Sequence, residues 1–357
     1  SQVLDLRSDM LRAELAGQVE FAGLRHELTF GATGTSKDQA PIYQRTYAAG
    51  PQNLYDPSDV SSAVTFGAGP ATPTTAAYST RDTGLYAIDR IALGEHWQLI
   101  GGLRHTRYRS DQGGLAYNPE KTTPMAAVVY RPVDALSFYA SFAQALEEGE
   151  TAPTGTVNAG TRLPPGVSDQ KEVGARWLTP GGTLVSGALF DISRPGYYTD
   201  VATNTFTSAG EQRYRGIELS AQGQLTPRLG WQTAALWLDA RFANIGAAYD
   251  GKRPENTARR TASAFLTYDL PMLAGLSVNG GAYYTGRRPV NDLNQAFLGD
   301  ITLLAAGLRY ADRSFGQRTT WQLNIENLTD KHYWAAGGTR LAAGAPRTVK
   351  ASVKIDL

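Results

Sequence analysis

Cysteine is missing altogether. Its absence excludes disulfide staples, thiolate metal sites and cysteine nucleophiles, and it suits an oxidising compartment where a stray thiol is a liability. A dominant charge is missing too: the 357 residues carry a formal net charge of +1, so no bulk attraction to nucleic acid is built in, and none is expected as a partner. No run approaches the ~18 consecutive apolar residues that a membrane-spanning helix needs. Histidine is scarce. His26, His96, His105 and His332 include no pair at metal-ligand spacing, so no metal site and no bound cofactor are expected. Position 1 is Ser and no basic-plus-apolar leader follows, so any secretory signal is expected to have been removed or to lie upstream.

What the sequence does have is alternation. Ile217, Leu219, Ala221, Gly223 and Leu225 oppose Gly216, Glu218, Ser220, Gln222 and Gln224, and the last ten residues set Val349, Ala351, Val353, Ile355 and Leu357 against Thr348, Lys350, Ser352, Lys354 and Asp356. A two-residue period means a pleated strand with one oily and one wet side. The strands run to roughly ten residues, the length a tilted strand needs to cross a bilayer. A mean hydropathy of -0.31 does not contradict this, because a transmembrane barrel shows lipid only every other residue. On one face lipid is expected to meet Ala264, Leu266, Val278, Ala282, Leu323, Ile325, Val353 and Ile355. Ser263, Thr267, Asn279, Gln322, Glu326 and Lys354 are expected to face inward, with Phe265 the exception to its strand's pattern.

Short turns rich in Gly and Pro alternate with long polar connections near 38–81, 111–121, 147–169, 194–208, 241–256, 287–298 and 328–346. Long on one rim and short on the other describes an outer-membrane barrel, with the long loops outside. The expected fold is therefore all-β, an antiparallel transmembrane β-barrel, with about fifteen strands from near Met10–Ala22 to Leu357. Since bacterial single-chain barrels have an even number of strands and the last one should descend to the periplasm, the first descends as well. The reading of residues 1–357 is accordingly the later part of one larger barrel domain, expected not to transport alone.

At this point the chain resembles the TonB-dependent siderophore receptors of the bacterial outer membrane. The resemblance rests on residues 82–93 leading into Trp97–Arg104, on Leu136–Phe142, Leu163–Gly174, Ala188–Ile192 and Arg215–Leu219, and on a closing motif of Asn324, Asn327, Leu328, Asp330, Tyr333, Pro346 and Arg347. It implies a barrel of 22 strands, so that seven strands, an N-terminal plug domain and the TonB box would precede this chain. It also implies uptake of a ferric-siderophore chelate with energy supplied through the TonB complex, by a monomer set in outer-membrane lipid and lipopolysaccharide. No bond is made or broken in such transport, so no catalytic residue is expected. The family usually closes on an aromatic residue, and here Leu357 stands instead.

Within that frame, loop aromatics are the candidate ligand contacts, because a large semi-polar chelate stacks on rings with a polar tip. They are Tyr43, Tyr47, Tyr55, Tyr78, Tyr117, Tyr197, Tyr198, Tyr249 and Trp334, against the alternative that several are girdle or loop-packing residues. Arg104, Arg176, Arg215, Glu218, Arg241 and Arg309 interrupt strand patterns and should face the lumen or a rim, since a charge on the lipid face costs about 2–4 kcal/mol near the midplane. Arg340 and Arg347 could meet a ligand or lipopolysaccharide phosphates. Three rival readings remain open: a lipid hydrolase using Ser141 and His105, a passive porin, and a receptor for cobalamin, haem or a sugar.

Overall fold

The computed structural model describes residues 2–3, 5–44, 72–75, 77–112, 115–337 and 340–356. Fifteen long strands follow one another in a single antiparallel sheet, each bonded to its neighbours in sequence. They are β1 (Leu6–Phe21), β2 (Leu24–Gln39), β3 (Tyr78–Leu93), β4 (Trp97–Gln112), β5 (Glu120–Val133), β6 (Leu136–Glu147), β7 (Gly166–Leu178) and β8 (Leu184–Pro195). The rest are β9 (Glu211–Thr226), β10 (Leu229–Ala243), β11 (Arg260–Asp269), β12 (Leu276–Thr285), β13 (Ile301–Asp312), β14 (Arg318–Glu326) and β15 (Thr348–Asp356). Within the described residues β1 bonds only to β2 and β15 only to β14, so the sheet is open along these two edges.

The count of fifteen and the descending sense of both end strands agree with the pattern read from the sequence. Strand length does not. Instead of a uniform ten residues, strands run from 9 in β14 and β15 to 16 in β1 to β4. The hydrophobic alternation marks only the part of a strand that meets lipid, whereas backbone pairing continues past it into the rim. For the same reason the connection expected over Asp38–Thr80 is shorter than its composition suggests. β2 pairs with β3 up to Gln39 and Tyr78, and the pieces Ile42–Gln44 and Thr72–Thr75 pair above them.

One rim carries only tight turns. One of its two-residue turns, Ala22–Gly23, was not among the expected turns and places both residues at positive φ, 52° and 74°, the geometry whose twist matches a hairpin. The other rim carries the long loops, several with short hairpins of their own: Tyr198–Asp200 with Thr205–Thr207, Arg288–Pro289 with Phe297–Leu298, and Trp334–Gly337 with Arg340–Ala343.

The register separates the two faces as expected. Ser263 stands opposite Tyr283, Thr267 opposite Asn279, Gln322 opposite Ser352 and Glu326 opposite Thr348. Ala264 meets Ala282, Leu266 meets Gly280, and Leu323 meets Leu308 on one side and Ala351 on the other. The polar set is the concave one, because a cavity of about 610 Å³ is walled by Tyr139, Glu172, Arg176, Glu218, Ser263 and Tyr283, members of that face on β6 to β12. Phe265 also turns inward, its ring 4.8 Å from that of Tyr283 and lying over Gly281, where any Cβ would collide with it. The break in alternation is thus an aromatic covering a bare glycine on the partner strand.

The outward face shows a boundary. Val173, Leu189, Ile217 and Trp237 form one row in register across β7 to β10, each about half exposed. The next outward row toward the long loops is Lys171, Asp191, Arg215 and Asp239.

With no native cysteine, single cysteines introduced in cells expressing the protein report the faces directly. Cysteines at Leu266, Val278 and Leu323 should be reached by a lipid-soluble thiol reagent and resist a charged one, and those at Ser263, Asn279 and Gln322 should show the reverse. A one-residue slip of register would exchange the two sets.

Candidate functional site: the mouth of the barrel

The long loops are tied into one crown over the concave face. At its base is Phe242, only 2% exposed, on the inward side of β10 opposite Gln212. Ile245 and Tyr249 from 244–259, Tyr198 from 196–210 and Leu293 from 286–300 close around it. The Tyr249 hydroxyl donates to the Thr199 carbonyl at 3.2 Å. A second cluster joins Ala152 and Leu163 of the 148–165 loop to Tyr197 and Phe206 of the next one. There Asn158 donates to the Phe206 carbonyl and accepts from the Phe206 amide, both at 2.9 Å, in the manner of one strand edge meeting another.

The 148–165 loop also reaches sideways. Glu148 accepts from the Tyr108 hydroxyl at 2.9 Å and from Arg162 at 2.7 Å, with Lys37 at 3.7 Å. The Arg162 guanidinium lies 5.0 Å from the centre of the Tyr78 ring. Lys37, Tyr78 and Tyr108 all belong to the inward faces of β2, β3 and β4, so this loop leans from β6 over the opening beside it. On the opposite side Arg288, 7% exposed, donates to Asn256 at 2.9 Å and to the Trp334 carbonyl at 3.3 Å, joining three loops.

The closing motif is a clamp on the last loop. Asn327 is 5% exposed at φ 48°; its side chain donates to the carbonyls of Lys331 and Ala345 and accepts from the Lys331 amide. Asp330 accepts from the Arg347 amide at 2.9 Å. Tyr333 covers Gly344, whose amide donates to the Tyr333 carbonyl, and any Cβ there would enter the ring. Asn324 faces inward opposite Lys350, Leu328 is partly exposed with its amide on Leu304, and Pro346 offers its carbonyl to the Thr348 hydroxyl.

The remaining candidates fall in different places. Tyr197 and Tyr249 are buried in the loop clusters, Tyr198 packs on Tyr249 at 5.5 Å, and Tyr78 lies beneath Arg162. Tyr117 and Trp334 are open, at 41% and 40%. The side chain of Tyr43, and the whole of Tyr47 and Tyr55, lie outside the described residues. Arg104 faces inward and donates to Thr33, Asp82 and Thr106. Arg176 and Glu218 line the concave cavity, and Arg309 faces inward opposite Gln322. Arg215 and Arg241 are on the outward face but at the rim, paired to Asp191 and Asp239. Ser141 and His105 are on opposite faces of the sheet, so they form no hydrolytic pair. Among the described residues no three metal-ligating groups come together.

Phe242, Glu150 and Asp292 were not singled out in the sequence, and the surroundings of Tyr197, a sequence candidate, could not be read there. Burial pushes the Tyr197 phenol up to about 12, with the charges of Glu150 and Glu147 adding to it. Burial also raises the carboxyl of Glu150, against the pull of Arg194 and with Asp292 and Glu147 pushing the same way, and it raises that of Asp292. The signal that was available is asparagine: Asn204, Asn244, Asn256 and Asn294 all sit at positive φ in these loops, where asparagine is one of the few residues at ease.

Phe242→Ala removes the ring on which three loops close, a change that costs about 3–5 kcal/mol in a packed core. The loops 196–210, 244–259 and 286–300 should then be nicked by protease while the strands stay protected. Asn327→Ala strands three hydrogen bonds and puts a Cβ-bearing residue without a polar tip at positive φ, at a cost of about 2–4 kcal/mol. It should lower the heat-modifiable folded fraction, with Asn327→Gly recovering the backbone part only.

Residues 4–328 match the family model described as TonB dependent receptor-like, beta-barrel. The chain is 35% identical over 252 residues to the ferrichrome receptor FcuA of Yersinia enterocolitica, covering 66% of this chain and 32% of that receptor. It is 28% identical over 359 residues to the ferrioxamine B receptor of Salmonella typhimurium, covering 95% of this chain and 49% of that one. The crystal structure of BauA, the ferric preacinetobactin receptor of Acinetobacter baumannii, superposes with a TM-score of 0.80 at 27% identity, covering all of this chain and 55% of BauA. The chain thus spans between about a third and a half of the length of these proteins. It belongs to the TonB-dependent receptor β-barrel family of the bacterial outer membrane.

Proposed function

We propose that this barrel serves an outer-membrane receptor that takes up ferric siderophores with energy supplied through the TonB complex. The observation that carries the reading is the crown: five long loops fixed to one another by buried rings and asparagine side chains, standing over a polar concave wall. A pre-formed rim of this kind lowers the ordering cost of capturing a large ligand. Similarity to receptors named for ferrichrome and ferrioxamine B supports a hydroxamate chelate as cargo. In this reading the barrel acts as a monomer in lipid, the concave charges Arg104, Arg176, Glu218 and Arg309 line the transport route, and lipopolysaccharide phosphates are partners for Arg340 and Arg347. The open Tyr117 and Trp334, the rings of the 45–71 region and the crown tyrosines are the proposed ligand contacts.

The test is uptake of radioactive iron supplied as a ferric trihydroxamate to cells that have this receptor as their only route for it. Uptake should require the receptor gene and an intact TonB complex, and deletion of 41–78 should abolish chelate binding without loss of membrane insertion. Uptake that persists without TonB would make the protein a passive pore, and uptake unchanged by the deletion would remove that loop from ligand capture.

A further inference from the structure

Two arginines of the outward face are paired with each other by the register and with no acid. Arg81 on β3 and Arg109 on β4 are direct cross-strand partners, and both are exposed. Their neighbours in sequence, Thr80 and Tyr108, are buried on the inward side, so the arginines share the parity of Leu85 and Leu103, which point to lipid. Opposed side chains have Cβ atoms about 4.5–5.5 Å apart, and like charges so placed repel. Among the described residues, no carboxylate lies within ion-pair distance of either guanidinium, and neither donates a hydrogen bond or lies over a ring. The outward acids nearest in the ladder are taken or set apart. Arg7 holds Asp9 at 2.8 Å, Arg107 holds Glu120 at 2.9 Å, and Asp38 and Asp111 stand one row further from lipid without an ion pair to Arg81 or Arg109.

The same sheet contains a second opposed pair, Arg213 on β9 and Arg241 on β10, also on the outward face. There the wall answers each charge itself: Asp191 lies 2.9 Å from Arg213, and Asp239 lies 2.9 Å from Arg241. One electrostatic problem is thus met in two ways on one surface. The pair on β9 and β10 is closed internally, and the pair on β3 and β4 is left open.

The surroundings of the open pair say which anion fits. Going toward the long loops, Phe30, Ala87 and Leu103 make one outward row, Leu85 and His105 the next, Thr83 and Arg107 the one after, and Arg81 with Arg109 follow. Phe30, Leu85 and Leu103 are 51%, 65% and 58% exposed, so the apolar wall below the arginines is bare. Four residues separate Arg81 from Leu85, about 13 Å along a strand. The height difference is smaller, because barrel strands tilt by about 35–45°, and a long basic side chain can lie along the wall with its head toward water. The guanidiniums therefore stand where the head groups of the outer leaflet begin.

We propose that Arg81 and Arg109 form a site for a phosphate of the outer-leaflet glycolipid, lipopolysaccharide, whose acyl chains lie along Phe30, Leu85 and Leu103 beneath. This rests on the place of the barrel in the outer membrane and is independent of its cargo. A phosphate between two guanidiniums turns their repulsion into paired charge-assisted bonds, and the planar forks of arginine match its oxygens. Arg107 is tied to Glu120 and is not needed for the site. A molecule with phosphate at one end and acyl chains at the other satisfies both the arginines and the apolar rows, whereas a free anion satisfies the arginines alone.

The experiment uses the whole receptor, purified in detergent and freed of bound lipid, with four probes: lipopolysaccharide, the same lipid stripped of its phosphates, phosphatidylglycerol and inorganic phosphate. Lipopolysaccharide should bind roughly tenfold to a hundredfold tighter than its dephosphorylated form, the range of charge-assisted hydrogen bonds. Arg81→Gln with Arg109→Gln should erase that difference and leave the dephosphorylated lipid bound as before, which also reports that the variant is folded. Arg81→Lys with Arg109→Lys should recover part of it, and Arg213→Gln with Arg241→Gln should keep all of it. If the first double variant yields no heat-modifiable receptor, the same comparison on Arg81→Gln and Arg109→Gln singly decides. Equal binding of the two lipid forms by the unaltered receptor, a difference that survives loss of Arg81 and Arg109, or its disappearance with Arg213 and Arg241 would overturn the proposal. Phosphatidylglycerol binding as tightly as lipopolysaccharide, or displacement of the lipid by millimolar phosphate, would overturn the glycolipid as occupant. Each of these results leaves the uptake of iron chelates to its own test.

Discussion

The sheet, on which the rest of the molecule stands, follows from the backbone's need for partners in hydrocarbon. An amide or carbonyl left unpaired there costs several kcal/mol, so each strand must be matched along its whole lipid-facing length by the next. That requirement fixes a long meander with neighbours in sequence paired in space, and the pleat then assigns every second side chain to lipid. The aliphatic outer row, the polar concave wall and even the inward Phe265 over Gly281 are consequences of pairing first and side-chain choice second.

The crown obeys different physics. Its backbone is outside the hydrocarbon and could be satisfied by water, so its order comes from side chains: Phe242 under three loops, Asn158 copying a strand edge, Arg288 joining three loops, and Asn327 closing the last one. Such contacts are individually modest, but each removes freedom from two loops at once.

This difference decides what could be read from the residues. Strand count, direction and face were legible because alternation is a local code repeated along the whole chain, and the placement of Arg104, Arg176, Arg215, Glu218, Arg241 and Arg309 in the lumen or at a rim followed from the cost of a charge in lipid. Strand length was read as a uniform ten or so residues, too short for most strands, because the code falls silent where lipid ends and pairing does not. Loop contacts were not legible. Tyr197, Tyr198 and Tyr249 look alike in sequence to Tyr117, yet three are packed into clusters and one is open, a distinction set in part by partners on other loops. Asn327 showed as a motif member without its work as a clamp.

The boundary on the outer face has a mechanical meaning. Val173, Leu189, Ile217 and Trp237 end the oily band in one row, and Lys171, Asp191, Arg215 and Asp239 begin the charged one immediately above. Sinking the wall by one such row would drive four charges toward hydrocarbon, and lifting it would strip four large apolar side chains of lipid, including a Trp that prefers the interface. The barrel is therefore held at one height like a float with a weighted rim.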